Sequence, residues 1–444
     1  MTHSNYFKEF IRYTFLNILG MLALSFYILA DTFFIARGIG INGLTALNLA
    51  IPVYSLINGC GLMLGMGGAI KYAIYKSRNN TFRQNAVFTN SVYMAVIPIL
   101  IFVLCGIFFP GAIARLLGAD AATWAMTRTY LRVILLFSPA FILSNILNAF
   151  VRNDGNPKLA MLATTTGCLS NVLFDFIFIF PLQMGILGAV LATGFAPVIN
   201  MAILSAHFRK GKNQFHLISL KPDLKLTAST SMLGFPSLIT ELSSGIVIIV
   251  FNFVILNLQG NTGVAAYGVI ANLSLVVSSI FTGIAQGMQP LTSRTHGSGD
   301  YTVVQKVRHY ALTLMLLLSA IVYLFVFIFA DPITAAFNSE HSRQLQQIAT
   351  IGLKLYFVST PFMDYNIIMA VFLASTERPV PAQIISLLRG LIIIIPMTIL
   401  LSSLFGMTGV WLSCPAAECL VAMTAMMRLL IPSSHRKDER TDAS

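Results

Sequence analysis

Asn171 and Asp175 stand four residues apart in the apolar run "GCLSNVLFDFIFIFP" (167–181). On a helix that spacing puts an amide and a carboxyl on one face. Asp31 interrupts a second such run, "FYILADTFFIARG" (26–38), and Thr193 a third, "LATGFAP" (191–197). A carboxylate inside a bilayer costs about 2.5–3.5 kcal/mol on translocon-insertion scales, so its presence asks for a use. An all-oxygen set without His or Cys suits a proton or a hard cation such as Na⁺, not zinc.

These residues need a membrane scaffold, and the composition supplies one. Of 444 residues 56% are hydrophobic and 10% charged, and the mean hydropathy is +0.79. A soluble chain carries about a quarter charged residues. The apolar blocks predict twelve spans, at 10–36, 44–75, 85–109, 124–150, 158–180, 185–208, 229–258, 263–292, 306–330, 345–375, 380–404 and 407–430. The start, "MTHSNYFKEFIRYTF", runs into the first span without a cleavage site, so no leader is expected to be removed. An even number of spans puts both termini on one side. All but six of the 28 lysines and arginines fall on that side or at helix ends beside it, the exceptions being Arg37, Arg115, Arg128, Arg132, Arg343 and Lys354. Both termini are therefore expected in the cytoplasm, in a multi-pass protein of the cell (inner) membrane. The net charge of +12 is a topology signal, and nucleic acid is not an expected partner. The five cysteines lie in apolar stretches without metal-ligand spacing and read as small buried hydrophobes.

The basic stretch "RKGKNQFHLISLKPDLK" (209–225) divides two halves that share a register. Gly43, Ala46 and Gly67 fall on Gly263, Ala266 and Gly287, and Pro139 and Pro157 fall on Pro361 and Pro379. Gly185 and Gly188 fall on Gly406 and Gly409. The expected fold is all-α, with two pseudo-symmetric six-helix lobes around a central cavity. They comprise an N-terminal lobe (1–208), a cytoplasmic linker (209–228), a C-terminal lobe (229–432) and a tail (433–444). Six spans between copies make this a parallel repeat, as in many secondary transporters.

Counted from the outer helix ends, Asp31, Asp175 and Thr193 lie about 9–12 Å deep, with Asn171 one turn deeper. Two carboxyls that meet cannot both ionise unless a cation neutralises them. The plain alternative is a buried acid bonded to Asn171, with Asp31 facing a wet vestibule. The second half does not copy the set: it carries Glu241 and Asp364 near mid-membrane, where the first half has Met21 and Ile142. Arg389 and Glu418 lie at matched depth and read as a static ion pair, while Lys71 is expected to snorkel to the cytoplasmic surface. Pro52, Pro139, Pro197, Pro236, Pro361 and Pro396 are expected to kink helices.

In order along the chain, "ADTFFIARGIGINGLTALNLAIPV" (30–53), "ARLLGAD" (114–120), "VRNDGNPKLA" (151–160), "NVLFDFIFIFPLQMGILGAVLAT" (171–193) and "GIAQGMQP" (283–290) resemble the multidrug and toxic compound extrusion (MATE) transporters. The resemblance implies export of bulky, often cationic, amphipathic compounds against inward Na⁺ or H⁺. It implies a first-lobe cation site at Asp31, Asn171, Asp175 and Thr193, and in some branches roles for residues matching Glu241 and Asp364. Some members bend helix one at a proline; this helix one has none, so such a bend is not expected here.

The reading is a cation-coupled antiporter, not an enzyme. It needs no cofactor beyond Na⁺ or H⁺ as coupling ion, takes a small organic cation as partner within the lipid bilayer, and is expected to be monomeric. The alternative is a flippase for a lipid-linked precursor, which would call for a cationic cavity. A channel fits unlike acid sets in duplicated lobes less well. No GxxxxGK[ST] loop provides for ATP hydrolysis.

Overall fold

The computed structural model describes residues 3–209, 211, 213–338 and 342–430; the expected tail lies outside them. The first lobe consists of α1 (His3–Gly38), α2 (Ile41–Ser77), α3 (Thr81–Phe108), α4 (Trp124–Leu136 continued by Ser138–Asn153), α5 (Pro157–Ile179) and α6 (Gly185–Leu204). The second consists of α7 (224–259), α8 (261–297), α9 (Tyr301–Phe337), α10 (Arg343–Tyr356 continued by Thr360–Ser375), α11 (379–405) and α12 (407–430).

Among the described residues nine helical stretches are long and apolar enough to cross a membrane, and the bent α4 makes a tenth. Two of the nine hold two spans each, because Gly260 (φ 60°) and Gly406 (φ 57°) turn the chain back. The first lobe turns at the equivalent positions, Gly40 (φ 87°) and Gly185 (φ 57°). Only glycine adopts such angles without strain. Asn80 and Asp300, also equivalent, cap α3 and α9 by accepting from the backbone N–H of Arg83 and Val303. The repeat thus extends to turn and cap chemistry. Several helices exceed their expected ends, α1 beginning at His3; a polar first turn stays helical while falling outside an apolar window.

Proline positions divide. Pro52, Pro197 and Pro236 lie inside helices, whereas Pro139 and Pro361 open new segments. The first of these follows a 46° bend in α4, the second a 3₁₀ turn at Phe357–Ser359. Pro396 follows a π turn at Leu388–Ile392. Helix α1 is continuous and proline-free. Cys168 and Cys414 are buried as expected, but Cys60, Cys105 and Cys419 are only half-buried.

Each lobe has its own core. One is drawn from residues between Ile35 and Leu226. The other is built from α7–α12 around Phe251, Phe281 and Trp411. The second core also takes in Phe10, Tyr13, Ile70 and Ile74, at the ends of α1 and α2 nearest the face where the chain begins. We call this the terminal face and its opposite the far face.

The lobes close toward the terminal face. A Cβ on Gly67 would lie 2.0 Å from the Thr230 carbonyl, and one on Gly234 1.8 Å from the Met63 carbonyl. Gly283 and Gly287 similarly let α8 touch the backbone of α1 at Ile18 and Thr14. Farther along the α2–α7 crossing the fit loosens. A Cβ on Gly59 would stand 2.8 Å from Leu238, and one on Gly245 would meet only Ile51, at 3.8 Å. Polar contacts reinforce the closed end: Arg294–Glu9 at 2.8 Å, Arg152–Gln286 at 2.5 Å and reciprocal bonds between Asn153 and Gln289. Lys71, expected to snorkel, instead pairs with Glu377 of the second lobe at 2.5 Å.

The linker is not slack. Residues 213–223 run extended along α3. The backbone N–H groups of Gln214, His216 and Ile218 donate to Asp154 Oδ2 (2.8 Å), Asn85 Oδ1 (2.9 Å) and Thr89 Oγ1 (3.0 Å). Phe215 is fully buried among Tyr72, Phe88, Phe150, His207 and Phe208. Asp154 also accepts from Tyr72 (2.6 Å), His207 (2.8 Å) and Lys76.

Candidate functional site

Close helix packing sets the first-lobe site. Gly38 of α1 lies so near α5 that a Cβ would fall 2.1 Å from Ile179 Cγ2. Gly167 of α5 and Gly188 of α6 allow equally close approach, at 2.9 Å from the Ala196 carbonyl and 2.8 Å from Phe178. Between these contacts the four expected residues converge. Asp31, Asn171, Asp175 and Thr193 are all buried, Asn171 and Asp175 completely.

The carboxyls of Asp31 and Asp175 face each other within hydrogen-bonding reach. Asn171 joins α5 to α6: its amide N–H donates to Asp175 Oδ2 (3.1 Å) and its carbonyl accepts from the Thr193 backbone N–H (3.1 Å). The Thr193 hydroxyl stands 3.5 Å from the Asn171 amide and donates to the Ala189 carbonyl at 3.1 Å. One oxygen of each acid, Asp31 Oδ1 and Asp175 Oδ1, is buried without a partner. Neither acid has a basic partner among the described residues. Such a pair lacks positive charge, which a proton or a small hard cation can supply. Among the described residues no three His, Cys, Asp or Glu gather as transition-metal ligands would.

One neighbour escaped the sequence reading. Tyr130 of α4 is buried close to Thr193. Its only signal was its place on the apolar face of α4, where a tyrosine reads as packing.

The second lobe arranges its charges differently. Arg389, on the π turn of α11, donates from Nη2 (2.9 Å) and Nε (3.2 Å) to Glu418 Oε1 of α12. Asn366 completes the pair by donating to Glu418 Oε2 at 2.7 Å; it sits two residues after Asp364 and was missed. Asp364 is fully buried and neither of its oxygens has a partner. Glu241 does not join this group. It stands where α7 meets α2, its Cβ 3.4 Å from the place a Cβ on Gly59 would take. The structure therefore brings Asp364 near Arg389 and Glu418 but leaves Glu241 at the seam between lobes.

Known proteins share this architecture. A family model described as MatE matches residues 17–177 and 236–400, well over half the chain. The multidrug export protein MepA of Staphylococcus saprophyticus is 26% identical over 427 residues, covering 96% of this chain and 93% of that protein. MepA of Staphylococcus aureus (strain MRSA252) is 25% identical over 423 residues, covering 95% and 93%. A crystal structure of MATE in complex with MaL6 superimposes with a TM-score of 0.88 at 22% identity, covering 95% of this chain and 96% of that one.

Proposed function

Because this chain belongs to the MatE family of MATE transporters, we propose that it is a cation-coupled antiporter that exports amphipathic organic cations by alternating access. The observation that carries the proposal is the meeting of Asp31 and Asp175, each with one buried, unpartnered oxygen and no basic neighbour. The names of the MepA relatives support multidrug export as the direction and kind of work. In this reading the terminal face is cytoplasmic and the membrane is the cell membrane. In this reading the close packing at the terminal face, looser by Gly245, is the outward-facing arrangement of the cycle.

Coupling then follows from differential affinity. A cation entering between Asp31 and Asp175 removes their repulsion, which favours the compact first-lobe packing of α1 on α5. A substrate that binds better to the other lobe arrangement pulls the equilibrium back. Each unit charge moving inward gains about 2.3 kcal/mol per 100 mV. Asn171 positions Asp175 and links it to α6, so the occupancy of the site is felt by three helices. Glu241 and Asp364 would serve the second lobe in coupling or substrate binding. A flippase would need a free cationic cavity, and Arg389 is already neutralised by Glu418.

The test uses the purified full chain in liposomes loaded with a fluorescent organic cation. Dye movement is followed under an imposed Na⁺ gradient and then a pH gradient, for wild type and Asp175→Asn. Movement driven by one gradient and lost in the variant supports the proposal and names the ion. No movement under either gradient removes it.

A further inference from the structure

Arg152, at the end of α4 nearest the terminal face, is a buried cation held by neutral groups. It is 4% exposed and lies across the seam between the lobes. Nη1 donates to Asn17 Oδ1 of α1 (3.0 Å) and to Gln286 Oε1 of α8 (2.5 Å), and Nη2 meets Met66 Sδ of α2 at 3.0 Å. Asn17 Nδ2 donates to the Tyr13 carbonyl at 2.8 Å, which leaves the amide oxygen turned to the guanidinium. Nε is buried without a partner. No carboxylate among the described residues forms an ion pair with Arg152. The nearest acid in sequence, Asp154, is engaged by Tyr72, Lys76, His207 and the Gln214 backbone.

An arginine keeps its proton inside proteins, so this charge is present and uncancelled. Arg389 is the contrast, since Glu418 neutralises it within the second lobe. Taking an unpaired charge out of water is unfavourable, and a packed apolar side chain would close the seam more stably. Arg152 also ends a polar row. Asn145, Asn148 and Arg152 fall at i, i+3 and i+7 of α4, on one face and about 10 Å from end to end. Asn145 bonds to Asn58 of α2 at 2.8 Å and Asn148 to Thr164 of α5 at 2.9 Å. Both, like Asn17, are half-buried. Amides in a row can solvate water and small cations, whereas close glycine packing excludes bulky molecules and leaves a proton its hydrogen-bonded route.

We propose that Arg152 is the cation barrier of the closed terminal face, the fixed charge that keeps protons and metal cations from slipping between the lobes uncoupled. A guanidinium set in a narrow polar path repels cations by its field, as in water-selective pores. A carboxylate partner would cancel that field, so the neutral cage of Asn17, Gln286 and Met66 is what the role requires. Gln286 belongs to the second lobe. When the lobes part at this end it leaves, water reaches the guanidinium, and screening lowers the barrier just when a cation has to pass. The inference needs the lobes to wall the transport path, as read above, but neither the substrate nor the coupling ion.

The test uses the purified full chain in liposomes with no organic cation present. A potassium diffusion potential draws cations inward; proton entry is read with trapped pyranine, Na⁺ entry with ²²Na⁺, and chloride with ³⁶Cl⁻ in parallel. Arg152→Gln should raise proton or Na⁺ entry by about tenfold or more with chloride unchanged. Arg152→Met, which removes the charge and keeps an apolar chain, should leak likewise. Arg152→Lys should stay within about twofold of wild type, because it keeps the charge while changing the hydrogen bonds. The thermal midpoint of Arg152→Gln should not fall, since no ion pair is broken. Unchanged cation entry in both neutral variants overturns the proposal. Equal rises for cations and chloride also overturn it and make Arg152 a strap across the seam. A leak in Arg152→Lys as large as in Arg152→Gln shows that the charge is not the agent. None of these readings depends on dye movement, so failure of the antiporter test leaves them intact.

Discussion

Lys71 of α2 and Glu377, in the turn between α10 and α11, form an ion pair across the lobes at 2.5 Å. His296 of α8 stands 3.8 Å from the other Glu377 oxygen. Hydrogen bonds from His296 and then Lys71 hold the Glu377 carboxyl down, from an ordinary 4.5 to about 2.

Lys71→Met should open the terminal face more often. The pair is partly exposed, so the shift in the closed-to-open ratio should be about two- to fivefold. It can be read as the maleimide labelling rate of a cysteine placed at Ser77, which packs on Gly297. Because the folded carboxyl value is depressed, its contribution is complete above pH 4.5 and is lost as pH falls toward 2. The difference between wild type and Lys71→Met should therefore stay constant from neutral pH to about 4.5. A difference that vanished near neutral pH would assign the latch to another group.

Asp31→Asn should reduce gradient-driven efflux by at least about tenfold without lowering the thermal midpoint. Removing one of two facing carboxyls relieves their repulsion and leaves an amide that can donate to Asp175. Retained efflux in a correctly inserted Asp31→Asn protein would count against the first-lobe site.

Gly234→Ala should hold the lobes apart. Its Cβ would fall 1.8 Å from the Met63 carbonyl, a backbone atom that cannot swing away. Overpacking of this kind costs about 1–3 kcal/mol. Gly245→Ala, with 3.8 Å to its nearest neighbour, is the control and should behave as wild type in the same labelling assay.

Phe215→Ala should release the linker from α3. Emptying the aromatic box costs about 3–5 kcal/mol of local packing. Hydrogen exchange at Gln214, His216 and Ile218 should speed up far more than exchange in α5. Uniform acceleration throughout the chain would mean that Phe215 supports the whole lobe, not the strap alone.

The helical spans and their repeat were legible because hydropathy and glycine or proline register are local signals. The convergence of the four first-lobe residues was legible for a related reason: Asn171 and Asp175 share a face, and Asp31 and Thr193 announce their depth through distance from helix ends. The same reasoning paired Arg389 with Glu418. It could not find Asn366 or Tyr130, since a lone amide or phenol in a span has no preferred partner until neighbouring helices are packed. Lys71 was misread because snorkelling assumes lipid beside the helix, whereas the second lobe is there. The π turn under Arg389 leaves no mark in composition or periodicity.

The far-face turns at Gly40, Gly260 and Gly406 bear on how the chain is made. The first holds only Ile39 and Gly40 between α1 and α2, and the other two a single glycine each. There is no polar loop at these points for a growing chain to thread through the bilayer by itself. With the far face outside, as proposed, each pair, α1–α2, α7–α8 and α11–α12, is expected to enter as a helical hairpin. Biogenesis then advances in two-helix steps at these three points, and chains cut at Gly260 should leave an uncommitted α7 rather than a stable seventh span.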